Sequence, residues 1–179
     1  MTALAQLNVS PFPIDSFKGC VRCLKMNGKM DLPKNNRAVA IHIYCKDSLV
    51  YILQSSNKSG LFTFYLPFNY EYKVVLSKPG YYDKYFTVNT AYTKNRMYTK
   101  YEIEFSTEMF KTVEDVNVDV LKKPLVEIEY NKIRNEFVYD PLYTQSINDE
   151  MARFYANYAI QEKAEAATLD AAGPPKKSK

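Results

Sequence analysis

Ser59-Gly60-Leu61-Phe62-Thr63-Phe64-Tyr65-Leu66-Pro67-Phe68-Asn69-Tyr70-Glu71-Tyr72-Lys73-Val74-Val75-Leu76-Ser77-Lys78-Pro79-Gly80-Tyr81-Tyr82-Asp83-Lys84-Tyr85-Phe86-Thr87-Val88-Asn89-Thr90 is the stretch that decides the fold. Three runs in it alternate with a period of two. Phe62, Phe64 and Leu66 share one face, as do Tyr72, Val74 and Leu76, and then Phe86 and Val88. Successive side chains of a strand point to opposite faces, so each run offers one apolar face to a core. The gaps between runs carry turn chemistry. Gly60 tolerates the positive φ of a tight turn, Pro67-Phe68-Asn69 ends a strand, and Pro79-Gly80 suits the two central positions of a type II turn. Strands at this spacing point to a sandwich or barrel.

The same pattern continues on both sides. Lys18–Leu24 alternates, which predicts a first strand over 17–24, followed by polar loop residues Asn27-Gly28 and Pro33-Lys34-Asn35-Asn36. In Arg37–Cys45, Val39, Ile41, Ile43 and Cys45 face one way, with Ala38, Ala40, His42 and Tyr44 on the other side. Leu49–Gln54 reads as a short strand. Lys100–Phe105 sets Tyr101, Ile103 and Phe105 against Lys100, Glu102 and Glu104. The expectation is a mainly β chain, a seven-stranded antiparallel β-sandwich over 17–108. Residues 1–16 read as a leader or extended arm, where Pro11 and Pro13 oppose regular structure.

Residues 109–144 read as a β extension too short to fold alone, and so docked on the sandwich. There Val116, Val118 and Val120 alternate with polar residues, then Val126, Ile128 and Tyr130 with Glu127 and Glu129. The extension ends in a tyrosine-rich clasp of Tyr139, Tyr143 and Thr144. Residues 145–167 read as an amphipathic helix capped by Ser146, with Ile147, Met151, Phe154, Tyr155 and Tyr158 on one face. Residues 168–179, rich in Ala, Pro and Lys, read as a disordered tail.

Composition narrows the class. The 179 residues are 46% hydrophobic, with 16 Tyr, 10 Phe and no Trp, an aromatic bias that favours strands. The net charge of +4 is mild, and most lysines alternate with apolar residues as on a solvated sheet face, which argues against nucleic acid as a partner. The basic concentration Lys94-Asn95-Arg96, with Lys84 and Lys100 nearby, reads as a polar loop. No stretch offers the ~20 apolar residues of a membrane span. Thr2-Ala3-Leu4-Ala5-Gln6 is like the end of a secretory signal, with an Ala-x-Ala site but no basic or apolar region before it.

Catalytic groups are sparse. His42, the one histidine, lies on a strand face, which leaves no pattern for a Ser-His-Asp or Cys-His arrangement. Five glycines form no phosphate-binding fingerprint. Acids such as Glu102, Glu104, Glu127 and Glu129 alternate with apolar residues, the pattern of a solvated face rather than of a glycosidase pair. Cys20-Val21-Arg22-Cys23 has C-x-x-C spacing, but on a strand residues three apart face opposite ways. A four-ligand zinc site would also need more than Cys45 and His42. The thiols read as packed on or beside a sheet, and no cofactor or metal is expected.

The run Lys18-Gly19-Cys20-Val21, Val39-x-Ile41-x-Ile43-Tyr44, Ser59-Gly60-x-Phe62-x-Phe64-x-Leu66-Pro67, Tyr72-x-Val74-x-Leu76-Ser77-Lys78-x-Gly80-Tyr81 and Phe86-x-Val88-x-Thr90 resembles the carboxypeptidase regulatory-like domain. That family has a transthyretin-like, or prealbumin-like, sandwich that is also grouped with carbohydrate-binding-like folds. The resemblance covers 17–108, about half the chain. Lys122–Tyr130 and Phe137-x-Tyr139-Asp140-x-x-Tyr143-Thr144 resemble the extension of short envelope proteins from Gram-negative bacteria that carry gliding and type IX secretion machinery.

The resemblance implies a non-enzymatic accessory module that contacts a protein partner in the cell envelope. The location implied is periplasmic or outer-membrane-associated, with Ala3-Leu4-Ala5 read as the remnant of a signal peptide; without such a leader the location would be cytoplasmic. An oxidising envelope is compatible with a Cys20–Cys45 or Cys23–Cys45 disulfide. The wider fold's dioxygenases and hydroxyisourate hydrolase use several histidines, so His42 alone departs from them. The candidate partner surface comprises Tyr65, Tyr81, Tyr82, Tyr85, Tyr139, Tyr143, Tyr155 and Tyr158, together with sheet edges and the helix. The alternative is a carbohydrate-binding module in which Tyr65, Tyr81, Tyr82 and Tyr85 stack on sugar rings.

Overall fold

Phe105 enters the space between two sheets and meets Phe62 at 5.5 Å on one side and Phe86 at 5.1 Å on the other, both edge-on. These contacts join the layers of a β-sandwich in a computed structural model that describes residues 14–19, 22–33, 36–91 and 101–172. Nine strands are present among them: β1 (Cys23–Asp31), β2 (Ala40–Cys45), β3 (Ser48–Gln54), β4 (Leu61–Pro67), β5 (Glu71–Ser77), β6 (Lys84–Asn89), β7 (Tyr101–Glu108), β8 (Glu127–Asn131) and β9 (Glu136–Tyr139). A three-stranded sheet has the order β4-β1-β7, and a six-stranded sheet the order β3-β2-β5-β6-β8-β9. One helix, α1 (Pro141–Ala172), follows.

The alternation seen in the sequence is the burial pattern of the strands. Val39, Ile41, Ile43 and Cys45 are buried on one face of β2, as are Phe62, Phe64 and Leu66 on β4 and Tyr72, Val74 and Leu76 on β5. Gly80 has φ +78° and the Tyr81 amide donates to Lys78 O at 3.0 Å, which closes the expected type II turn.

Several expectations need correction. The strands number nine rather than seven, and the sandwich is not wholly antiparallel, because β1–β7 and β6–β8 pair in parallel. The first strand is Cys23–Asp31 rather than 17–24, with Phe17 in a 3-10 helix (Ile14–Phe17). Asn27-Gly28 therefore lies mid-strand instead of in a loop. The cause is non-local: Gly28 sits opposite Phe62, whose ring occupies the space a side chain at 28 would fill. Val116–Val120 is not a strand. Asp115 has φ +59° and the Asn117 side chain accepts the Asp119 amide at 2.9 Å, which bends the chain into a 3-10 helix (Asp119–Lys122).

The helix starts earlier and ends later than Ser146 and residue 167. Asp140 caps it: its Oδ1 accepts the Tyr143 amide at 2.9 Å, and Pro141 fills the first helical position, where a missing N–H costs nothing. Residues 168–172 continue the helix rather than opening a disordered tail. Ile147, Met151, Phe154 and Tyr158 are buried against Phe110, Val113, Val120 and Leu121 in a second core.

Cys23 is disulfide-bonded while Cys45 is a free, buried thiol, so neither bridge to Cys45 forms. The two cysteines belong to different sheets. Residues 2–6, Cys20, the Lys94–Lys100 block and residues 173–179 lie outside the described residues.

A Cβ at residue 28 would lie 2.0 Å from Phe62 Cζ. Gly28→Ala should therefore lose about 1–3 kcal/mol in urea denaturation through overpacking. A second substitution, Phe62→Leu, should recover part of that loss. Asp140→Ala should cost about 1 kcal/mol by removing the helix cap, read in the same experiment.

Candidate functional site

The eight tyrosines do not form one surface. Tyr82 donates its hydroxyl to Val113 O at 2.5 Å and accepts the Val113 amide at 3.0 Å. Tyr85 donates to Lys122 O at 2.9 Å, and Lys73 Nζ lies 4.3 Å over its ring. Tyr81 pairs with Lys111 in a β-bridge and accepts from the Asn36 side chain at 3.2 Å. Tyr139 reaches across the sandwich to Glu104 O at 3.1 Å, and Tyr143 donates to Pro124 O at 2.6 Å. Tyr155 bonds the Glu108 carboxylate, and buried Tyr158 donates to the Glu162 carboxylate at 3.4 Å. Tyr65 lies half-buried on the smaller sheet. Seven of these hydroxyls thus face partners within the chain, and Tyr81, Tyr82 and Tyr85 are tied to the 109–144 segment.

His42 and Cys45 point to opposite faces of β2. His42 stands on the outer face between Ile52 and Val75, whereas Cys45 faces the core, where burial pushes its thiol pKa up. Glu102 on the smaller sheet pairs with Lys25 at 2.9 Å, and that hydrogen bond holds its carboxyl below the usual range. Glu127 and Glu129 are on the larger sheet. Among the described residues no cluster of three or more His, Cys, Asp or Glu is set to hold a metal ion. No described helix is long and apolar enough to cross a membrane.

Three of the surface clefts are lined by candidate acids or tyrosines. One of about 480 Å³ over β5, β6 and β8 mixes Lys46 and Lys73 with Glu71, Glu127 and Glu129. A second, about 310 Å³, is mainly apolar and is lined by Leu76, Phe86 and Leu125 together with Thr107 and Tyr139. The third lies over Gly28, Leu61 and Phe62.

Strand β3 borders the larger sheet and pairs with β2 alone. Between Leu49 and Gln54 its backbone makes no hydrogen bond outside that ladder among the described residues. Leu49 is 44% and Ile52 54% exposed, and Ser48–Gln54 carries no charged side chain. Edge strands normally carry charge, proline or cover that blocks further pairing. Among the described residues, β3 has an extra residue, Val50, between the paired Tyr51 and Leu49, and the Ile14–Phe17 helix touches the strand. On the inner side Tyr51 stacks on Phe17 at 5.1 Å. The uncharged run was the available sequence signal for this edge, but the strand order that exposes it is not written locally.

Lys84 was expected near a basic loop, yet it is buried, 2% exposed, at the inward end of β6. Its Nζ donates to Glu108 O at 2.9 Å and lies 3.9 Å from the Phe110 ring centroid. Phe110 in turn packs on Phe154, Tyr155 and Tyr158. This lysine therefore joins the sandwich to the helix. Burial pushes its pKa down to about 8, partly offset by Glu108.

A lysine whose folded value lies below its ordinary 10.5 binds fewer protons folded than unfolded between those values, so stability rises with pH there. From about pH 7 to pH 9.5 the protein should gain ~2 kcal/mol relative to Lys84→Met in chemical denaturation. Above about pH 10 the slope reverses in both proteins, because burial pushes Tyr143 and Tyr158 up to about 12, so that folding holds protons the unfolded chain has lost. A stability difference that stays constant across this range would refute the buried-amine account. In comparisons with known proteins, neither a family model nor a curated sequence matches this chain.

Proposed function

We propose that the chain is a non-enzymatic interaction protein of the cell envelope, a carboxypeptidase regulatory-like sandwich that binds a protein partner through its open β3 edge. The observation that carries this reading is the uncharged backbone from Leu49 to Gln54, which among the described residues bonds on its β2 side alone, with Leu49 and Ile52 exposed beside it. Such an edge accepts an added strand, where main-chain hydrogen bonds supply the affinity. The envelope setting, with a role as an accessory to gliding or type IX secretion machinery, is supported by the motif resemblance alone. A glycan platform on Tyr81, Tyr82 and Tyr85 finds little support, since their hydroxyls bond within the chain.

The test places a photo-crosslinking residue at Leu49 of the full chain and exposes it to envelope extract. A discrete adduct with another protein is expected, reduced at least about tenfold by Ile52→Lys, given that each 1.4 kcal/mol of binding is tenfold. Adducts unaffected by Ile52→Lys, or binding competed away by oligosaccharide, would count against this function.

A further inference from the structure

We propose that the apolar cleft beside β7 is a second binding site, which takes a neutral, mainly apolar amide whose polar group pairs with the backbone of Ser106. The site stands apart from β3 and does not rest on the reading of that edge.

The cleft lies where the narrower sheet ends. Strand β7 is its border, and the larger sheet continues from β6 into β8 and β9. Leu76, Phe86 and Phe105 line the cleft from the two facing layers, and Leu125 and Val126 from the chain entering β8.

Two side chains of the larger sheet tie down the β7 border. Tyr139 donates to Glu104 O at 3.1 Å and Lys84 to Glu108 O at 2.9 Å. At ~3.3 Å per residue these ties stand ~13 Å apart along the strand, with Ser106 midway. Alternate residues of a strand turn their backbone groups to the same border, so the Ser106 N–H and C=O face the gap between the ties. Among the described residues Ser106 makes no hydrogen bond outside its β1 ladder. Its side chain shares the outer face with Glu102 and Glu104, so what Ser106 offers the cleft is this backbone.

The remaining polar groups decide what fits. The hydroxyls of Tyr139, Thr144 and Thr107 donate to Glu104 O, Asp140 O and Glu108 O, at 3.1, 2.6 and 3.4 Å. Ser106 is left with both a donor and an acceptor, and an amide carries the complementary pair. No described lining residue is charged, and the Lys84 amine is turned to Phe110. An ionised ligand would therefore lose its hydration without gaining a counter-charge. The volume of about 310 Å³ is at the small end of ligand clefts and equals that of about ten waters. A capped apolar amino acid fits within it.

Titration of the isotope-labelled full chain with N-acetylphenylalaninamide, followed by amide NMR, tests this. Saturable shifts are expected at Ser106, Leu125 and Val126, with a Kd of about 1 mM or tighter. Ionised N-acetylphenylalanine should bind at least about tenfold more weakly. Val126→Phe puts a larger inward side chain into the cleft and should abolish the shifts with an unchanged circular dichroism spectrum. Ser106→Pro removes only the outward N–H of an edge strand and should weaken binding about fivefold or more. A five-residue peptide with phenylalanine at its centre separates two sources of this chemistry. Tighter binding than the capped amino acid assigns the site to an extended chain, and equal or weaker binding to a free small amide. No saturation by either ligand, equal binding of the ionised analogue, full binding by Ser106→Pro, or shifts that survive Val126→Phe overturns the proposal.

Discussion

Strand β6 is the member on which both cores depend. Its inward side chains are Lys84, Phe86 and Val88, and strict alternation forces all three to the same side. Phe86 and Val88 fill the space between the sheets, where Phe86 meets Phe105. Lys84, one step beyond, points at the place where the helix packs. A lysine is tolerated there because its amine finds a carbonyl and an aromatic face while its carbon stem lies in apolar surroundings. The same strand takes β8 as its parallel neighbour, so the chain after residue 109 is anchored through it as well.

That arrangement explains why the surface tyrosines of the sequence became internal fastenings. Tyr82, Tyr85 and Tyr143 all donate to carbonyls of the segment between Val113 and Pro124, a stretch with little regular hydrogen bonding of its own. A buried carbonyl without a partner is costly, and phenol hydroxyls on neighbouring elements supply the donors. At the other border of the larger sheet, the backbone from Leu49 to Gln54 has no such neighbour among the described residues.

Much of the fold was legible where its causes are local. From Ala40 to Thr90, alternation and turn residues agree with each other, and Pro79-Gly80 forms the turn its chemistry favours. Legibility failed where the deciding contact was distant or two local signals competed. Asn27-Gly28 looked like a loop because the ring that completes it, Phe62, is far along the chain. Val116–Val120 looked like a strand because alternation is blind to the left-handed turn at Asp115. Asp140-Pro141 carries a helix-start signature, but Ser146 carries a competing one nearer the apolar stripe. Nothing in the local sequence distinguishes Lys84 from its solvated neighbours, since its burial follows from where the helix docks.

Cys45 has a consequence of its own. Its thiol is free, enclosed on the inner face of β2, and made less acidic by that enclosure. Alkylating reagents attack the thiolate, so reaction in the native state must wait for the sheet to part. The protein thus carries a built-in clock of its own breathing: the pace at which this sulfur takes up label reports how often the middle of the larger sheet opens.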